Sequence, residues 1–356
     1  MLFRSSSLSF TGAAIPAYPA NFTSQPSTGT LARPSILLFD KGYVLPLTMQ
    51  GSLGVEYEIA SHTTIGISYL NVRGEHLSRT RDVNLYPEQP VSVNLPGLGT
   101  RTLYRHPGLV QGSPFRPLAN FVRVEVFESG ADSFYNGMIL TFKRRFGARY
   151  TIGLSYTWAK VIDTVPEFTS VVPFNGIDEV KNTQYGLSPN ADRGPGGMDQ
   201  RHRVVTNFLW DLDYFRSLKN PVLRYLIGGW QLSGIITAQS GQPYSNAMGG
   251  DPNSDSNGFT DRVPGDGRNT NYAPSLATWD LRVTKSIPIY ERVKLNLGLD
   301  AFNALNQAPF VASNIRNGKY NFSATGNTFT PTTNFGTYAN QTLDNRVLQV
   351  SAKIVF

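Results

Sequence analysis

The chain has 356 residues, 40% of them apolar and only 16% charged, with a formal net charge of +7. Soluble chains of this apolar content usually carry about a quarter charged residues. Here Gly (33), Pro (23) and aromatics (12%) take their place, a mixture suited to strands and long polar loops and poorly suited to helices. No cysteine is present, so disulfides, thiolate metal sites and cysteine nucleophiles are excluded. No run of about eighteen apolar residues exists to make a transmembrane helix. The basic residues do not cluster beyond Lys143-Arg144-Arg145, so no nucleic-acid partner is expected.

Residues 1–48 read as an irregular, loop-like segment, and 49–356 as a succession of strands. In 50–60, Leu53, Val55, Tyr57 and Ile59 alternate with Ser52, Glu56 and Glu58. Successive side chains of a strand point to opposite faces, so a period of two separates an apolar from a polar face. The segment 64–71 carries Ile65, Ile67 and Tyr69. A weaker strand at 76–85 has Leu77, Val83 and Leu85, with Arg79 and Arg81 on the same face. Segments 121–128 and 134–146 follow. In 150–158, Tyr150, Ile152, Leu154, Tyr156 and Trp158 oppose Thr151, Gly153, Ser155 and Thr157. The segment 203–213 is apolar on both faces. Segment 226–239 sets Trp230, Leu232 and Ile236 against Gln231, Ser233, Thr237 and Gln239. Segment 279–285 sets Trp279, Leu281 and Val283 against Asp280, Arg282 and Thr284. The clearest alternation is in 292–303, with Val293, Leu295, Leu297, Leu299 and Ala301 against Arg292, Lys294, Asn296, Gly298 and Asp300. In 346–356, Leu348, Val350, Ala352, Ile354 and Phe356 form the apolar set.

Several runs reach the roughly nine to eleven residues that a tilted strand needs to cross a bilayer core. Short turns at 61–63, 147–149 and 288–291 alternate with long polar loops at 161–200, 241–278 and 305–345. Outer-membrane barrels have that asymmetry, with short periplasmic turns and longer outer loops. Between the turns at 61–63 and 147–149 the number of strands must be even, which is why 76–85 is included. The sum is about ten or eleven strands of an all-β, antiparallel, transmembrane outer-membrane β-barrel, a partial barrel. A secreted β-sandwich would also alternate, with its apolar face turned inward. The long strands and the loop asymmetry favour the barrel. Leu295, Leu297, Leu299, Leu348, Val350 and Ile354 are expected to face lipid, and Trp158, Trp210, Trp279, Tyr290 and Phe356 to anchor strand ends at the interfaces.

The segments ISYLNVRGEHL (67–77), SFYNGMILTFKRRFGARYTIGLSYTWAKVID (133–163), DQRHRVV (199–205), GGWQLSGIITAQSGQPYS (228–245) and DLRVTKSIPIYERVKLNLGLDAFNALNQAPF (280–310) resemble the barrel of TonB-dependent outer-membrane receptors, specifically the Oar-like group. Their order and spacing carry the resemblance, which runs from about Pro34 to Phe356. It implies a barrel of about twenty-two strands with a plugged lumen, in the outer membrane of a Gram-negative-type bacterium. It further implies that this chain is the C-terminal portion, forming channel wall and substrate-contacting loops. The export signal, the plug, the other barrel half and the TonB contact would lie in a part not visible here. The alternative is a non-transport outer-membrane barrel with an adhesive or structural role. Expected partners are outer-membrane lipid and the barrel-assembly machinery.

One loop suggests a metal. DPNSDSNGFTDR (251–262) places Asn253, Asp255 and Asn257 at alternate positions, then Gly258, then Asp261. Calcium takes several oxygen ligands, and alternate residues of a tight loop can converge on one ion. Measured from Asn253, the glycine falls at the EF-hand's sixth position, but Pro264 stands where that loop needs its bidentate Glu, so only weak binding is expected. The competing reading is a solvated Asx/Gly turn. No other cofactor is expected. Asp192-Arg193 and Asp199-Gln200-Arg201-His202 resemble an acid–base cluster on paper. No nucleophile, base and orienter can be assembled around them, and they read as rim salt bridges of a protein that is not an enzyme.

Phe356 ends the final strand in phase with its apolar face. By resemblance, such terminal aromatic strands are read by the assembly machinery, so Phe356 is expected to be an assembly signal. Deleting Phe356 should lower the heat-modifiable, folded species in outer membranes several-fold, while detergent refolding of the same variant changes little. Normal membrane levels of the deletion would reject the assembly role.

Overall fold

The computed structural model describes residues 3–4, 8–9, 30–31, 33–107, 116–147, 149–164, 183–185, 187–212, 219–256, 261–290, 293–307, 315, 318–337 and 345–356. Strand backbone needs hydrogen-bonding neighbours, and antiparallel strands supply them here. Nine long strands follow one another: β1 (Leu47–Ala60), β2 (Thr63–Asp82), β3 (Val124–Phe146), β4 (Tyr150–Asp163), β5 (His202–Asp211), β6 (Trp230–Gln239), β7 (Leu276–Tyr290), β8 (Val293–Phe302) and β9 (Val347–Val355). Each pairs antiparallel with the next, so the sheet is a meander in chain order. Three short strands, Phe3–Arg4, Ile36–Phe39 and Gly194–Pro195, complete a 12-stranded sheet. Among the described residues β1 and β9 each pair with a single strand, which leaves the sheet open at both edges.

The parity of the first half is restored by fusion, not by an added strand. Segments 64–71 and 76–85 are one strand, β2, of 20 residues, and 121–128 and 134–146 are one strand, β3, of 23 residues. Two strands therefore lie between the short turns where four were expected. The seam is a bulge. Register between β2 and β3 shifts between Gly74 and Leu77 and again before Arg79, and His76 sits at φ 56°. Arg79 and Arg81, which counted against a strand here, both reach Glu128 across it, at 2.7 and 3.0 Å. Within the N-terminal segment expected to be irregular, Ile36–Phe39 lies parallel to residues 124–127 of β3. It occupies the edge of β3 beyond the last rung of β4, Asp163 opposite Ser133. Two more boundaries move. The turn expected at 288–291 is still strand to Tyr290, with Pro288 next to a register irregularity near the end. The strand expected from 226 begins at Trp230, because Pro221–Ile227 is a helix, α1.

Directly opposed residues share a face, so register shows how the apolar positions line up. Val55, Ile67, Leu140, Tyr156 and Val204 are successive partners from β1 to β5. Val283, Leu299 and Val350 continue the pattern from β7 to β9, as do Leu295 with Ile354 and Ala301 with Leu348. The opposite face carries Glu56, Gly66, Thr141 and Ser155 on one rung. Phe146, Tyr150 and Trp210 form an aromatic row at one end, with ring centroids 5.3 and 6.2 Å apart. Among the described residues the apolar face is left largely open: Leu53 is 77% and Val350 79% exposed. A soluble sandwich would bury this face, so the sandwich alternative fails here.

Lys285 is an exception on that face, opposite Trp230 and Leu297. Its ammonium donates to the carbonyls of Tyr225 (2.8 Å), Leu226 (3.2 Å) and Gly228, at the C-terminal end of α1, and lies 5.0 Å from the centre of the Trp230 ring. Helix C-termini carry partial negative charge, so this lysine is neutralised where a bare one would be costly.

Removing the carboxylate that Arg79 and Arg81 share should be felt strongly, because Arg79 is buried. Glu128→Ala is expected to cost about 3–5 kcal/mol, as for breaking a buried ion pair. Glu128→Gln, which keeps an acceptor, should cost less. Denaturant titration of the detergent-folded protein measures both, and equal midpoints for Glu128→Ala and the parent would contradict the ion-pair reading.

Candidate functional site

The segments joining β2 to β3, β4 to β5, β6 to β7 and β8 to β9 lie at one end of the sheet, and they meet. The first contains a hairpin, Gln89–Leu95 with Gly99–Arg105, turned at Gly97 (φ 79°) and Gly99 (φ 72°). Left-handed backbone at both positions favours glycine. From the segment after β6 comes Ala247–Gly249, parallel to Gly318–Ser323 from the segment after β8, which pairs with Thr328–Pro331. Val93, Leu95, Leu103, Met248, Val263, Tyr320 and Phe329 pack into one buried cluster. The hydroxyl of Tyr320 donates to the Pro96 carbonyl (2.7 Å) and fixes the hairpin to the small sheet. The loops expected at 241–278 and 305–345 are thus not merely polar and solvated. With the β2–β3 connection they form a cap with its own apolar core.

Loop 251–256 is gripped from several directions. Arg105 Nε donates to the Pro252 carbonyl (2.7 Å), and the His106 amide donates to the Asn253 carbonyl (2.8 Å). Arg116 Nη2 donates to the Asp255 carbonyl (2.7 Å) and its Nη1 to the Asp82 carboxylate. Asn253 Nδ2 donates to the Gln184 carbonyl (3.0 Å). Asn253, Asp255 and Asp261 are all buried. Asn257 and Gly258 lie outside the described residues. Burial raises the Asp251 carboxyl above the ordinary range against the pull of backbone amides. Burial likewise pushes the Tyr185 phenol up to about 12.

Below the cap, the two acidic pairs at 192–202 sit in ion pairs at the strand ends. Asp192 binds Arg262 (2.6 Å), not the adjacent Arg193. Arg268 joins Asp163 (2.5 Å) to the Asp192 carbonyl (3.0 Å). Asp199, fully buried, accepts from the Val161 amide (2.7 Å) and from Arg201 (3.0 Å). His202 stacks on Tyr156 and shares a 2.8 Å hydrogen bond with its hydroxyl. These groups brace the rim and are not arranged around a common reacting point.

The family model described as an outer membrane beta barrel domain matches residues 4–266 and 264–349. The chain belongs to that family. It is an outer-membrane protein, and its long antiparallel strands are the spanning elements of a β-barrel. Among solved structures it is similar to the outer membrane transporter YddB from Escherichia coli, at 10% identity and TM-score 0.47, over 90% of this chain and 34% of that one. It is also similar to the FrpB iron transporter from Neisseria meningitidis (F3-3 variant), at 10% identity and TM-score 0.43, over 89% of this chain and 32% of that one. The chain thus spans about a third of the length of either transporter. No curated protein matches it.

Placed on the barrel, the residues singled out in the sequence separate into two groups. Leu295, Leu297, Leu299, Leu348, Val350 and Ile354 share the exposed apolar face of β8 and β9, and Phe356 follows β9, 91% exposed. Asn253, Asp255 and Asp261 lie within the cap. Sequence reading missed the cap's apolar cluster, and with it His106, Arg116 and Tyr320, which no local motif marks.

His106 generates a pH dependence. Its Nδ1 lies 2.6 Å from the Tyr86 carbonyl, so this nitrogen carries the proton. Burial lowers its pKa, and the nearby Arg116 charge adds to that, against the Tyr86 hydrogen bond and Asp82. A histidine depressed in the fold contributes stability above its unfolded value of about 6.5. That contribution is lost as the pH falls from there through the lower folded value. Proteolysis of the cap should therefore quicken as the pH falls below about 6.5, and His106→Asn, which keeps a donor to Tyr86, should flatten that response.

Proposed function

We propose that this chain is the C-terminal part of the barrel of a TonB-dependent outer-membrane transporter, supplying channel wall and the outer loops that meet substrate. The observation that carries this reading is the count and direction of the strands. Among the described residues the antiparallel meander has nine long strands, an odd number, so edge strands β1 and β9 run the same way. Joining them to each other would need a parallel pair, whereas bacterial single-chain barrels close antiparallel with an even number. The wall is completed by further strands between these edges. In this proposal they belong to the same transporter, along with the plug through which TonB would act.

The exposed apolar face is the lipid face, with Leu295, Leu297, Leu299, Leu348, Val350 and Ile354 in the hydrocarbon band. The aromatic row of Phe146, Tyr150 and Trp210 lies at the periplasmic interface. Helix α1 lies on the same side of the wall, tethered by Lys285. Its exposed Val222, Leu223, Tyr225 and Leu226 rest among the lipids of the inner leaflet.

Since the chain has no cysteine, a single introduced pair reports on the edges. Ser52→Cys with Ser351→Cys should give no disulfide between these two positions in native membranes. An efficient intramolecular disulfide would mean that the nine strands close by themselves and would reject the partial-barrel reading.

Charge on the two faces separates lipid from lumen. Leu297 shares its rung with Lys285, so Leu299, flanked by Val283 and Val350, is the cleaner probe. Leu299→Arg should cost about 2–4 kcal/mol near the bilayer midplane, and Asn296→Arg on the other face much less. Folding titrations in lipid vesicles measure both, and equal costs would overturn the face assignment.

A further inference from the structure

Residues 251–256 curl around acidic oxygen. Asp251 receives the amides of Asp255 (3.0 Å) and Ser256 (2.9 Å), and Asn253 Oδ1 receives the Asp255 amide as well (3.1 Å). Ser254 and Ser256 adopt φ of 63° and 70°, left-handed values that curl the chain tightly. Residues 251, 253 and 255 therefore stand at the first, third and fifth positions of the curl. This moves the start from Asn253, the origin used in reading the sequence, to Asp251.

Asp261 is the decisive residue. It is fully buried, and neither carboxylate oxygen accepts a hydrogen bond of ordinary length and angle. Burial, Asp255 and Asp251 oppose its charge, and the nearby Asn253 amide and Arg262 offset this only in part. The nearby cations are committed elsewhere: Arg262 to Asp192, Arg116 to Asp82 and the Asp255 carbonyl, Arg105 to the Pro252 carbonyl. A buried carboxylate so poorly satisfied is unfavourable unless a proton or a cation resides on it.

We infer that Asp251, Asn253, Asp255 and Asp261 form a calcium site inside the outer cap. The donor set is all oxygen, mixed between carboxylate and amide, which suits a hard and geometrically tolerant ion. Among the described residues no three acidic or imidazole side chains make a metal cluster by themselves. The Asn253 amide oxygen is accordingly part of the set, as is usual for calcium and unusual for transition metals. The ion acts through the contacts of the same loop: the β2–β3 connection holds that loop by Arg105, His106 and Arg116, and the β4–β5 connection by Gln184. Calcium thereby fastens two outer connections to a third.

The test uses the whole chain folded in detergent, stripped with a chelator and titrated calorimetrically with calcium chloride, with magnesium chloride as control. The expected result is a saturable calcium heat with half-saturation at about 10⁻⁴–10⁻³ M, the range of extracellular calcium modules. Cap proteolysis should slow at least about tenfold on calcium addition if the ion fastens the loops. Asp261→Asn, with heat-modifiable gel mobility retained, should lose both effects. Should that variant fail to fold, Asp255→Asn carries the same expectation. Absence of calcium heat up to about 10 mM overturns the site, as does parental heat in Asp261→Asn. A chelated Asp261→Asn cap as resistant as the calcium-loaded parent also overturns it, and assigns the buried group a proton instead.

Discussion

In hydrocarbon a peptide group without a partner costs several kcal/mol, and no water is present to help. Everything else in this structure follows from meeting that condition with strands. The register runs rung by rung from β1 to β9, with β4 to β5 unbroken from Tyr150–Trp210 to Trp158–His202. Irregularities fall at strand ends or in the outward part of β2 and β3, where water or neighbouring loops can serve the freed groups. Once the ladder is fixed, side chains have no choice of face. Apolar residues go outward and small or polar ones inward, the reverse of a soluble sheet. Lys285 departs from that rule, and it does so with a helix terminus placed to receive its charge.

The outer cap obeys different physics. It buries apolar side chains from three connections in one cluster and surrounds it with paired charges: Asp82 with Arg116, Asp192 with Arg262, Asp163 with Arg268. Buried pairs of this kind contribute little net stability against an apolar alternative, but breaking one is expensive. They therefore act as selectors of a single loop arrangement more than as sources of stability. A surface that must present a defined shape to the exterior gains from that property.

Much of the wall was readable because its signal is local. In β8 the alternation of Leu295, Leu297 and Leu299 with Asn296 and Gly298 is complete within one strand. The long strands β2 and β3 were split in the reading because a bulge shifts the phase near His76, and because Arg79 and Arg81 look unsuited to a strand until Glu128 is brought opposite. Helix α1 was taken for the start of β6 since Leu226 continues the apolar pattern into Trp230. The cap core was illegible for another reason. Leu95, Met248 and Tyr320 are far apart in sequence, each is an isolated apolar residue in a polar stretch, and only tertiary folding makes them neighbours. The acidic loop was visible by composition, but its register was not, because Asp251 shows its role only through the amides it receives.

The fused strands β2 and β3 have 20 and 23 residues, where about nine to eleven suffice to cross the hydrocarbon. At about 3.3 Å per residue and a tilt of about 40°, β2 rises on the order of 50 Å, about twice the height of the apolar band. The wall is consequently taller on this side than the membrane it crosses. The extra height makes a parapet, on which the first connection of the cap stands well clear of the head groups. The height of the wall on this side is set by strand length and not by the bilayer.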